Sequence, residues 1–282
     1  MLVNMHEMLA EASRTRTAVG AFNCTTLETA RAAIDAAEEL GIPFVLQHTS
    51  VHEAYIPFDI AGPVMLALAR RASIPVCVHL DHGESLEKVV QAIRMGFTSV
   101  MIDAADKSFE ENIAETKDVV RIAHSVGVTV EAELGSMPHN LCGELQNYKP
   151  EDFYTAPSMA VEFVEKTGID ALAISFGTIH GVYPQKPALD FSIVKQVAEA
   201  TNGTPLVMHG ASGLSDSDYR NAIANGIRKI NYYTYESLAG GRAIYQIVKD
   251  TPEGLQFHDA VTLARSYMKE DVKRVMRIFA GM

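Results

Sequence analysis

Residues 75–95 read PVCVHLDHGESLEKVVQAIRM, an apolar strand pattern that passes directly into a helix pattern. The first eight residues form an apolar run of strand length that ends in polar side chains. After Gly83, apolar residues recur at helical spacing from Ser85 onward, and Gly96 follows where a left-handed residue can end a helix. The stretch therefore predicts one strand–helix unit, with Ser85 as a candidate helix N-cap.

The same unit recurs along the chain. Further runs of strand length are separated, in most cases, by segments whose apolar residues have helical spacing. The predicted strands are AVGAFN (18–23), PFVLQHT (43–49), PVCVHLDH (75–82), SVMIDA (99–104), TVEAELG (129–135), ALAISFG (171–177), PLVMHG (205–210) and IRKINYY (227–233). The predicted helices include residues 28–40, 85–95, 110–126, 159–167 and 190–201.

Eight such strands in a chain of 282 residues predict a closed (β/α)8 TIM barrel, with residues 1–282 as a single domain. Helical material at residues 4–15 and 235–280 is then extra to the barrel. A doubly wound open sheet is the structural alternative. It usually carries a glycine-rich dinucleotide or P-loop fingerprint after its first strand, whereas AFNCTTLETA (21–30) contains no glycine.

Composition limits the partners and the compartment. A net charge of -11 leaves no basic face for the phosphates of a nucleic acid, so we expect no nucleic-acid partner. His6, Glu7 and Glu11 interrupt the N-terminal apolar residues where a signal peptide would have its apolar region. No window approaches 18 consecutive apolar residues. We therefore expect a cytoplasmic protein without a membrane partner.

Cysteine usage limits the metal chemistry. Cys24, Cys77 and Cys142 are an odd, scattered set without a Cys-x-x-Cys motif. This pattern argues against a disulfide framework and against a thiolate zinc cluster. Any metal must therefore be held by histidines and carboxylates.

The predicted strand ends carry an unusual number of such side chains. In a barrel the C-terminal ends of all strands meet at one mouth, so residues far apart in sequence converge there. Three histidines and three carboxylates are more than chance placement suggests. The residues at these ends are Asn23, Thr49, Asp81, His82, Asp103, Glu133, His180, His209 and Asn231.

Three of them predict a metal site. His82, His180 and His209 each precede a glycine, and a catalytic zinc needs three protein ligands with one position left open. Each histidine alone is more simply a polar residue at a strand end, but three His-Gly pairs favour a site. Strand alternation would send Asp81 and His82 to opposite faces, so we expect the strand to end between them at a turn that Gly83 permits.

Three other chemistries receive less support. GASG (210–213) has the wrong spacing for a G-x-S-x-G nucleophile elbow, and His6 and His52 each lack the second histidine of H-E-x-x-H. A Schiff-base enzyme needs a desolvated lysine. Lys229 is the lysine that falls inside a predicted strand, near its start and away from the mouth.

His79 lies on the same strand face as Asp81 but deeper in the barrel, and we assign it to packing and hydrogen bonding.

Two loops are candidates for a phosphate-binding site. In barrels, the loops after the seventh and eighth strands often bind phosphate through backbone amides. Here they read HGASGLSD (209–216) and NYYTYE (231–236), with Gly210, Ser212 and Thr234 as donors. A flexible turn before a capped helix explains GASG equally well.

Five motifs in fixed order resemble a known family. HLDHGES (79–85), VEAELG (130–135), GTIHGVYPQKPALDF (177–191), LVMHGASG (206–213) and KINYYT (229–234) are similar to the class II zinc-dependent ketose-bisphosphate aldolases. The similarity is closest to the tagatose-bisphosphate branch. It covers residues 18–234, with a weaker continuation to the C-terminus.

The resemblance implies reversible aldol cleavage of a phosphorylated ketose, of the tagatose or fructose 1,6-bisphosphate type, to dihydroxyacetone phosphate and an aldehyde. His82, His180 and His209 would hold Zn2+, which polarises the ketone and stabilises the enediolate. Asp81 would exchange the proton at the aldehyde oxygen as general acid and base. The family also implies a monovalent cation as a further cofactor, and a homodimer or homotetramer.

The resemblance assigns the remaining site residues as well. Gly181, Gly210, Ser212 and Thr234 would hold the phosphate, and Asn231 would contact the hydroxyls of the phosphorylated sugar. The carboxylates Asp103 and Glu133 match positions near a second or alternative metal.

Departures from the family pattern concern substrate choice. Residues 102–105 read IDAA where relatives have Ile-Asp-Gly-Ser, so a serine hydroxyl is lost. In the loop SMPHNLCGELQN (136–147), Glu144 is the only acid and is the candidate for the loop carboxylate of the family. Tyr232 and Tyr233 replace small residues, and either reshape the phosphate end or pack in the core. A related enzyme for another phosphorylated ketose is as consistent as a tagatose-bisphosphate aldolase.

Two alternative functions stay open at this point. A metal-dependent hydrolase on the same barrel would use zinc to activate water. A non-catalytic aldolase-like subunit is the other alternative, which the loop departures keep open.

Overall fold

The computed structural model describes residues 1–135, 139–140, 149–183, 185–251 and 253–282, with only the backbone at positions 139, 140, 150 and 152. The strands are β1 (Val19–Asn23), β2 (Phe44–Thr49), β3 (Val76–Gly83), β4 (Ser99–Ile102), β5 (Thr129–Leu134), β6 (His139–Asn140), β7 (Ala171–Ile174), β8 (His180–Gly181), β9 (Leu206–Met208) and β10 (Ile227–Tyr232). The helices are α1 (Met5–Thr15), α2 (Leu27–Leu40), α3 (Phe58–Arg71), α4 (Leu86–Met95), α5 (Phe109–His124), α6 (Pro157–Thr167), α7 (Phe191–Ala200), α8 (Asp216–Asn225), α9 (Thr234–Asp250) and α10 (Phe257–Phe279). Short 3-10 turns cover Ser50–His52 and Pro150–Phe153.

Eight parallel strands close into a barrel in the order β1-β10-β9-β7-β5-β4-β3-β2. The predicted TIM barrel with extra helices is therefore confirmed, and each predicted strand overlaps a barrel strand. The strands β6 and β8 pair in parallel outside the barrel, with His139 opposite His180. The predicted helical region 235–280 consists of two helices, α9 and α10. Within the residues described, none of the helices has the length and apolar character that a membrane crossing requires.

The barrel interior has an apolar floor. Because strand side chains alternate, the first inward-facing residues of several strands form one layer. This layer packs against α1, which closes the N-terminal end of the barrel. The buried residues on the strands are Val19, Ala21, Val45, Cys77, Ala171, Ala173 and Val207, and those on α1 are Met5, Met8, Leu9 and Ala12.

A polar layer lies above this floor. The next inward-facing positions carry Gln47, His79, Asp81, Glu131 and Lys229, all fully or almost fully buried. Gln47 and His79 each lie two positions after an apolar inward-facing residue of the same strand, Val45 and Cys77. The change from apolar to polar along the strands therefore places the chemistry at the C-terminal mouth.

The end of β3 departs from the expected turn. The strand continues through Gly83 and does not end between Asp81 and His82, so that prediction was wrong. Instead the register against β4 shifts between Leu80 and Gly83, and His82 adopts a left-handed φ of 47°. A residue outside the extended conformation interrupts the usual alternation of side-chain directions along a strand. Both side chains can therefore reach the same mouth.

Gly83 is required by the close approach of β4. A Cβ atom at this position would lie 2.4 Å from the backbone oxygen of Met101 and 3.0 Å from Leu80 Cδ2. Backbone atoms cannot move aside as a flexible side chain would. The glycine therefore allows the bulge that aims His82 at the mouth.

We expect Gly83→Ala to lower the free energy of unfolding by about 1–3 kcal/mol, the usual effect of overpacking a tight site. The matched control is Gly241→Ala in α9, where a Cβ atom meets nothing within 4 Å. That change should be neutral or stabilising, by up to about 1 kcal/mol, because alanine is the better helix former. Chemical denaturation of the two variants tests this, and equal stabilities would contradict the role of Gly83.

Candidate active site

The carboxyl ends of the barrel strands surround a cavity of about 280 Å³. The predicted site residues in its wall are Asp81, His82, Asp103, His180, Gly181, Gly210, Ser212, Asn231 and Thr234. His209 and Glu133 are buried beside them, and both contact members of this group. The structure thus brings together every predicted site residue that it describes. Glu144 lies outside the described residues.

Three histidines converge in this cavity. The side chains of His82, His180 and His209 each offer a ring nitrogen, and these nitrogens lie within 4.8 Å of one another. Their ring centroids are separated by 4.7 to 5.8 Å. Three imidazoles at this spacing are a group that can hold a metal ion and leave a coordination position open.

Two carboxylates orient two of the rings. His82 Nδ1 lies 2.6 Å from Asp103 Oδ2, and His209 Nε2 lies 2.9 Å from Glu131 Oε1. When a carboxylate accepts one ring N–H, the opposite ring nitrogen carries the lone pair for a metal. These opposite atoms, His82 Nε2 and His209 Nδ1, are buried and have no hydrogen-bond partner among the described residues. Buried polar atoms are normally satisfied, so the donor set fits a bound metal.

The surrounding carboxylates favour positive charge at His209. Glu133 Oε2 lies 3.2 Å from His209 Nδ1 without the alignment of a hydrogen bond, and Asp81 Oδ1 lies 4.0 Å from His209 Nε2. Burial alone would lower the pKa of His209, but Glu131, Glu133 and Asp81 outweigh it and raise that pKa to about 10. The site therefore stabilises a cation at the place where a metal would be held.

Asp81 is fixed by two amide side chains. Gln47 Nε2 donates to Asp81 Oδ2 at 3.0 Å, and Asn231 Nδ2 donates to Asp81 Oδ1 at 3.0 Å. Burial raises the pKa of Asp81, but the neighbouring His82, His209 and Lys229 have the larger combined effect and lower it. Asp81 is therefore an ionised carboxylate with both oxygens held in place.

A buried ion pair lies below Asp81. Lys229 Nζ is 2.9 Å from Glu131 Oε2 and donates to Asn231 Oδ1 at 2.8 Å. The sequence predicts Lys229 near the start of its strand, and the structure shows that its side chain reaches into the polar layer. The ion pair with Glu131 and the bond to Asn231 give this lysine a positioning role in place of a nucleophilic one.

His79 belongs to the same layer. Its Nδ1 lies 2.8 Å from Ser99 Oγ, and its Nε2 lies 3.7 Å from Glu131 Oε2. Burial, with the charge of Lys229 as the next cause, lowers the pKa of His79 to about 3. The ring is therefore neutral, in agreement with a packing and hydrogen-bonding role.

Further groups of donors accompany the three histidines. His82, Asp103 and Glu133 offer ligand atoms within 4.8 Å of one another, and so do His79, Asp81 and Glu131. In the first group, Asp103 already holds the ring of His82. A second or alternative metal at Asp103 and Glu133 stays a prediction.

The candidate phosphate loops form one side of the cavity. Gly210 has a left-handed φ of 64°, and a Cβ atom there would lie 2.3 Å from the backbone oxygen of Ile179. Thr234 is the first residue of α9, whose N-cap residue Tyr233 provides no side-chain cap within the described chain. Ser212 Oγ accepts a hydrogen bond from the backbone N–H of Tyr233 at 3.0 Å. The start of α9 therefore faces the cavity with backbone amides that suit an anion.

The two tyrosines have different environments. Tyr232 is buried, its ring packs against Phe22, and its hydroxyl donates to Asp271 Oδ2 at 2.7 Å. Tyr233 forms part of the cavity wall, with its ring centroid 4.6 Å from that of His52. Tyr232 mainly packs the core, and Tyr233 shapes the cavity.

Sequence reasoning missed several residues of the site. Gln47 and Glu131 support Asp81 and His209, and His52 lies in the cavity wall. Strand alternation could have found Gln47 and Glu131, because they are two positions before Thr49 and Glu133 on the same face. His52 follows a strand in a 3-10 turn, for which the sequence gives no comparable signal.

The comparisons with known proteins agree with this site. The chain matches the family described as fructose-bisphosphate aldolase class-II over residues 3–281. A fructose-bisphosphate aldolase from Staphylococcus aureus strain Mu50 is 39% identical over 282 residues, which cover 99% of this chain and 97% of the relative. The chain belongs to the class II fructose-bisphosphate aldolase family, and it is an aldehyde-lyase of that class.

Solved structures show the same fold. The YdjI aldolase from Escherichia coli K12 has a TM-score of 0.87 and 36% identity, covering 99% of this chain and 97% of the other. The fructose-bisphosphate aldolase from Campylobacter jejuni has a TM-score of 0.79, covering 99% and 95%, and at 19% identity it shows the fold alone. Class II aldolases are generally metal-dependent, and the three histidines are a group that can hold a metal.

We expect Asp103→Ala to weaken binding of a divalent metal by about 10- to 100-fold, the usual effect of losing a carboxylate that orients a histidine ligand. Asp106→Ala is the matched control, because it removes an exposed carboxylate from the same loop. Competition with a chromophoric chelator measures both affinities. An unchanged affinity in Asp103→Ala would contradict the orienting role.

Proposed function

We propose that this protein is a zinc-dependent class II aldolase that cleaves a phosphorylated ketose reversibly to dihydroxyacetone phosphate and an aldehyde. The observation that carries the proposal is the convergence of His82, His180 and His209 beside the fixed carboxylate of Asp81. Orphaned nitrogens on His82 and His209 support metal binding, and an all-nitrogen donor set with no thiolate suits zinc.

The metal supplies one kind of chemistry. When bound by His82, His180 and His209, Zn2+ would polarise the ketone of the substrate as a Lewis acid. The carboxylates of Asp103 and Glu131 hold the rings of His82 and His209 in the orientation that this requires.

Asp81 would handle the proton. During cleavage the hydroxyl on C4 loses its proton while the C3–C4 bond breaks, so a base must lie beside that oxygen. Asp81 is ionised and held by Gln47 and Asn231, which fix the direction of its oxygens. In the synthetic direction the same group returns the proton to the aldehyde oxygen.

The loops around α9 would hold the phosphate. Backbone amides near Gly181 and Gly210, the hydroxyl of Ser212 and the start of α9 at Thr234 form one side of the cavity. Fixing the phosphate there orients the ketone toward the histidines and brings the reacting carbons to Asp81. The single-domain organisation, the monovalent cation and the cytoplasmic location stay predictions.

We also propose a homodimer or homotetramer. The terminal helices α9 and α10 carry large apolar side chains in contact with solvent, including Tyr245, Val248, Phe257 and Tyr267. Exposed apolar surface of this kind marks association sites. Light scattering should give a mass of two or four times the 30.7 kDa of one chain. Phe257→Glu should lower this mass, because it places a charge on the apolar surface. A mass of one chain at all concentrations would contradict the proposal.

Two substitutions test the assigned roles. We expect Asp81→Ala to retain zinc and to lower kcat for ketose cleavage by about 10²- to 10⁴-fold, the usual contribution of a general base. His209→Ala should lose both metal and turnover, because it removes a ligand. Metal content by mass spectrometry and release of dihydroxyacetone phosphate are measured on the same samples.

The control is His6→Ala, an exposed histidine on α1. It should keep full metal content and full activity. Equal metal loss in Asp81→Ala and His209→Ala would contradict the roles. Purified protein that holds no divalent metal and cleaves no sugar phosphate would contradict the function itself.

A further inference from the structure

The charged side chains in the described cavity wall are predominantly acidic. Its described wall contains the carboxylates of Asp81, Glu84 and Asp103 and no lysine or arginine. The residues outside the described part add no such cation, because residues 136–148 include neither Lys nor Arg and residues 184 and 252 are prolines. Lys229, below the cavity, is already paired with Glu131.

The two sides of the cavity differ in what they offer an anion. On one side, the glycine turns and the start of α9 provide backbone amides for one phosphate. The other side is formed by the ends of β3 and β4, which lie across the barrel from β9 and β10, and by the end of β2 beside them. It carries the three carboxylates, and the helix that begins there, α4, is already capped by the side chain of Ser85.

A second phosphate on that side would be a dianion among carboxylates. Like charges at short range repel, most strongly beside the buried Asp81, where the local dielectric is low. A divalent metal held by the histidines would offset two of these three negative charges and would leave the wall with a net negative charge. The negative charge on this side therefore disfavours a substrate whose aldehyde-forming half carries a phosphate.

Neutral polar groups on the same side suit hydroxyls. Gln47 Oε1 and Thr49 Oγ1 are buried in residues that line the cavity, and neither has a hydrogen-bond partner among the described residues. The amide of Asn23 and the ring of His52 lie next to them. An amide oxygen accepts, and a threonine hydroxyl both accepts and donates, so a hydroxylated chain would satisfy these atoms.

We propose that the aldehyde half of the substrate is uncharged and hydroxylated, so that the ketose carries a single phosphate, on C1. This inference rests on the proposed function. Cleavage breaks the C3–C4 bond, whose electron pair stays with C3, while the C4 hydroxyl passes its proton to Asp81 and becomes the aldehyde. C3 then takes up one proton from solvent to give dihydroxyacetone phosphate, and Asp81 releases its proton to solvent. A ketose 1-phosphate thus yields dihydroxyacetone phosphate and an unphosphorylated hydroxyaldehyde, with no further reactant.

The test uses aldehydes that differ only in the phosphate. The zinc-loaded enzyme, in its native oligomeric state, is given dihydroxyacetone phosphate with D- or L-glyceraldehyde, or with the corresponding glyceraldehyde 3-phosphate. For the enantiomer that reacts faster, we expect kcat/KM to be at least ten-fold higher without the second phosphate. A higher kcat/KM for the phosphorylated aldehyde overturns the inference.

A charge variant separates electrostatics from shape. Glu84→Gln removes a carboxylate from the cavity wall and should reduce the preference for the unphosphorylated aldehyde several-fold. Glu87→Gln is the matched control, because it removes an exposed carboxylate outside this cavity and should leave the preference unchanged. Equal effects of the two variants would contradict the role of Glu84. If no aldehyde of either kind consumes dihydroxyacetone phosphate, the proposed function fails, and the inference fails with it.

Discussion

The buried contact between His209 and Glu131 holds the site together. Glu131 accepts the ring N–H of His209 at 2.9 Å with one oxygen and pairs with Lys229 at 2.9 Å with the other. Lys229 in turn bonds Asn231, which holds Asp81. Removing one partner of such a buried pair leaves an unpaired charge, at a typical cost of about 3–5 kcal/mol. The positions of a metal ligand and of the general base therefore depend on the same carboxylate.

This arrangement explains why the barrel has two layers inside. The apolar floor closed by α1 excludes water from below, and the polar layer above it can then use short, strong ionic contacts. Charges in such a layer must all be paired or directed at a ligand. Two of the buried ring nitrogens that have no hydrogen-bond partner among the described residues belong to His82 and His209, which are members of the group that can hold a metal.

Much of the fold and part of the site could be predicted from the sequence. Apolar runs with helical segments between them predicted the barrel, and the three His-Gly pairs at strand ends predicted residues that do converge. The left-handed conformation of His82 could not be predicted, because it depends on how closely β4 passes Gly83. The bond between Asn231 and Asp81 joins residues 150 positions apart, and no local pattern encodes such a contact.

We infer that His82, His180 and His209 form the metal site of this aldolase, with the rings of His82 and His209 oriented by carboxylates. Anomalous diffraction at the zinc absorption edge, from crystals of the metal-loaded protein, tests it most directly. We predict one strong peak within about 2.0–2.1 Å of a nitrogen of each of His82, His180 and His209, the usual zinc–imidazole distance. A peak only at His79, Asp81 and Glu131, or no peak inside the barrel mouth, would contradict the account.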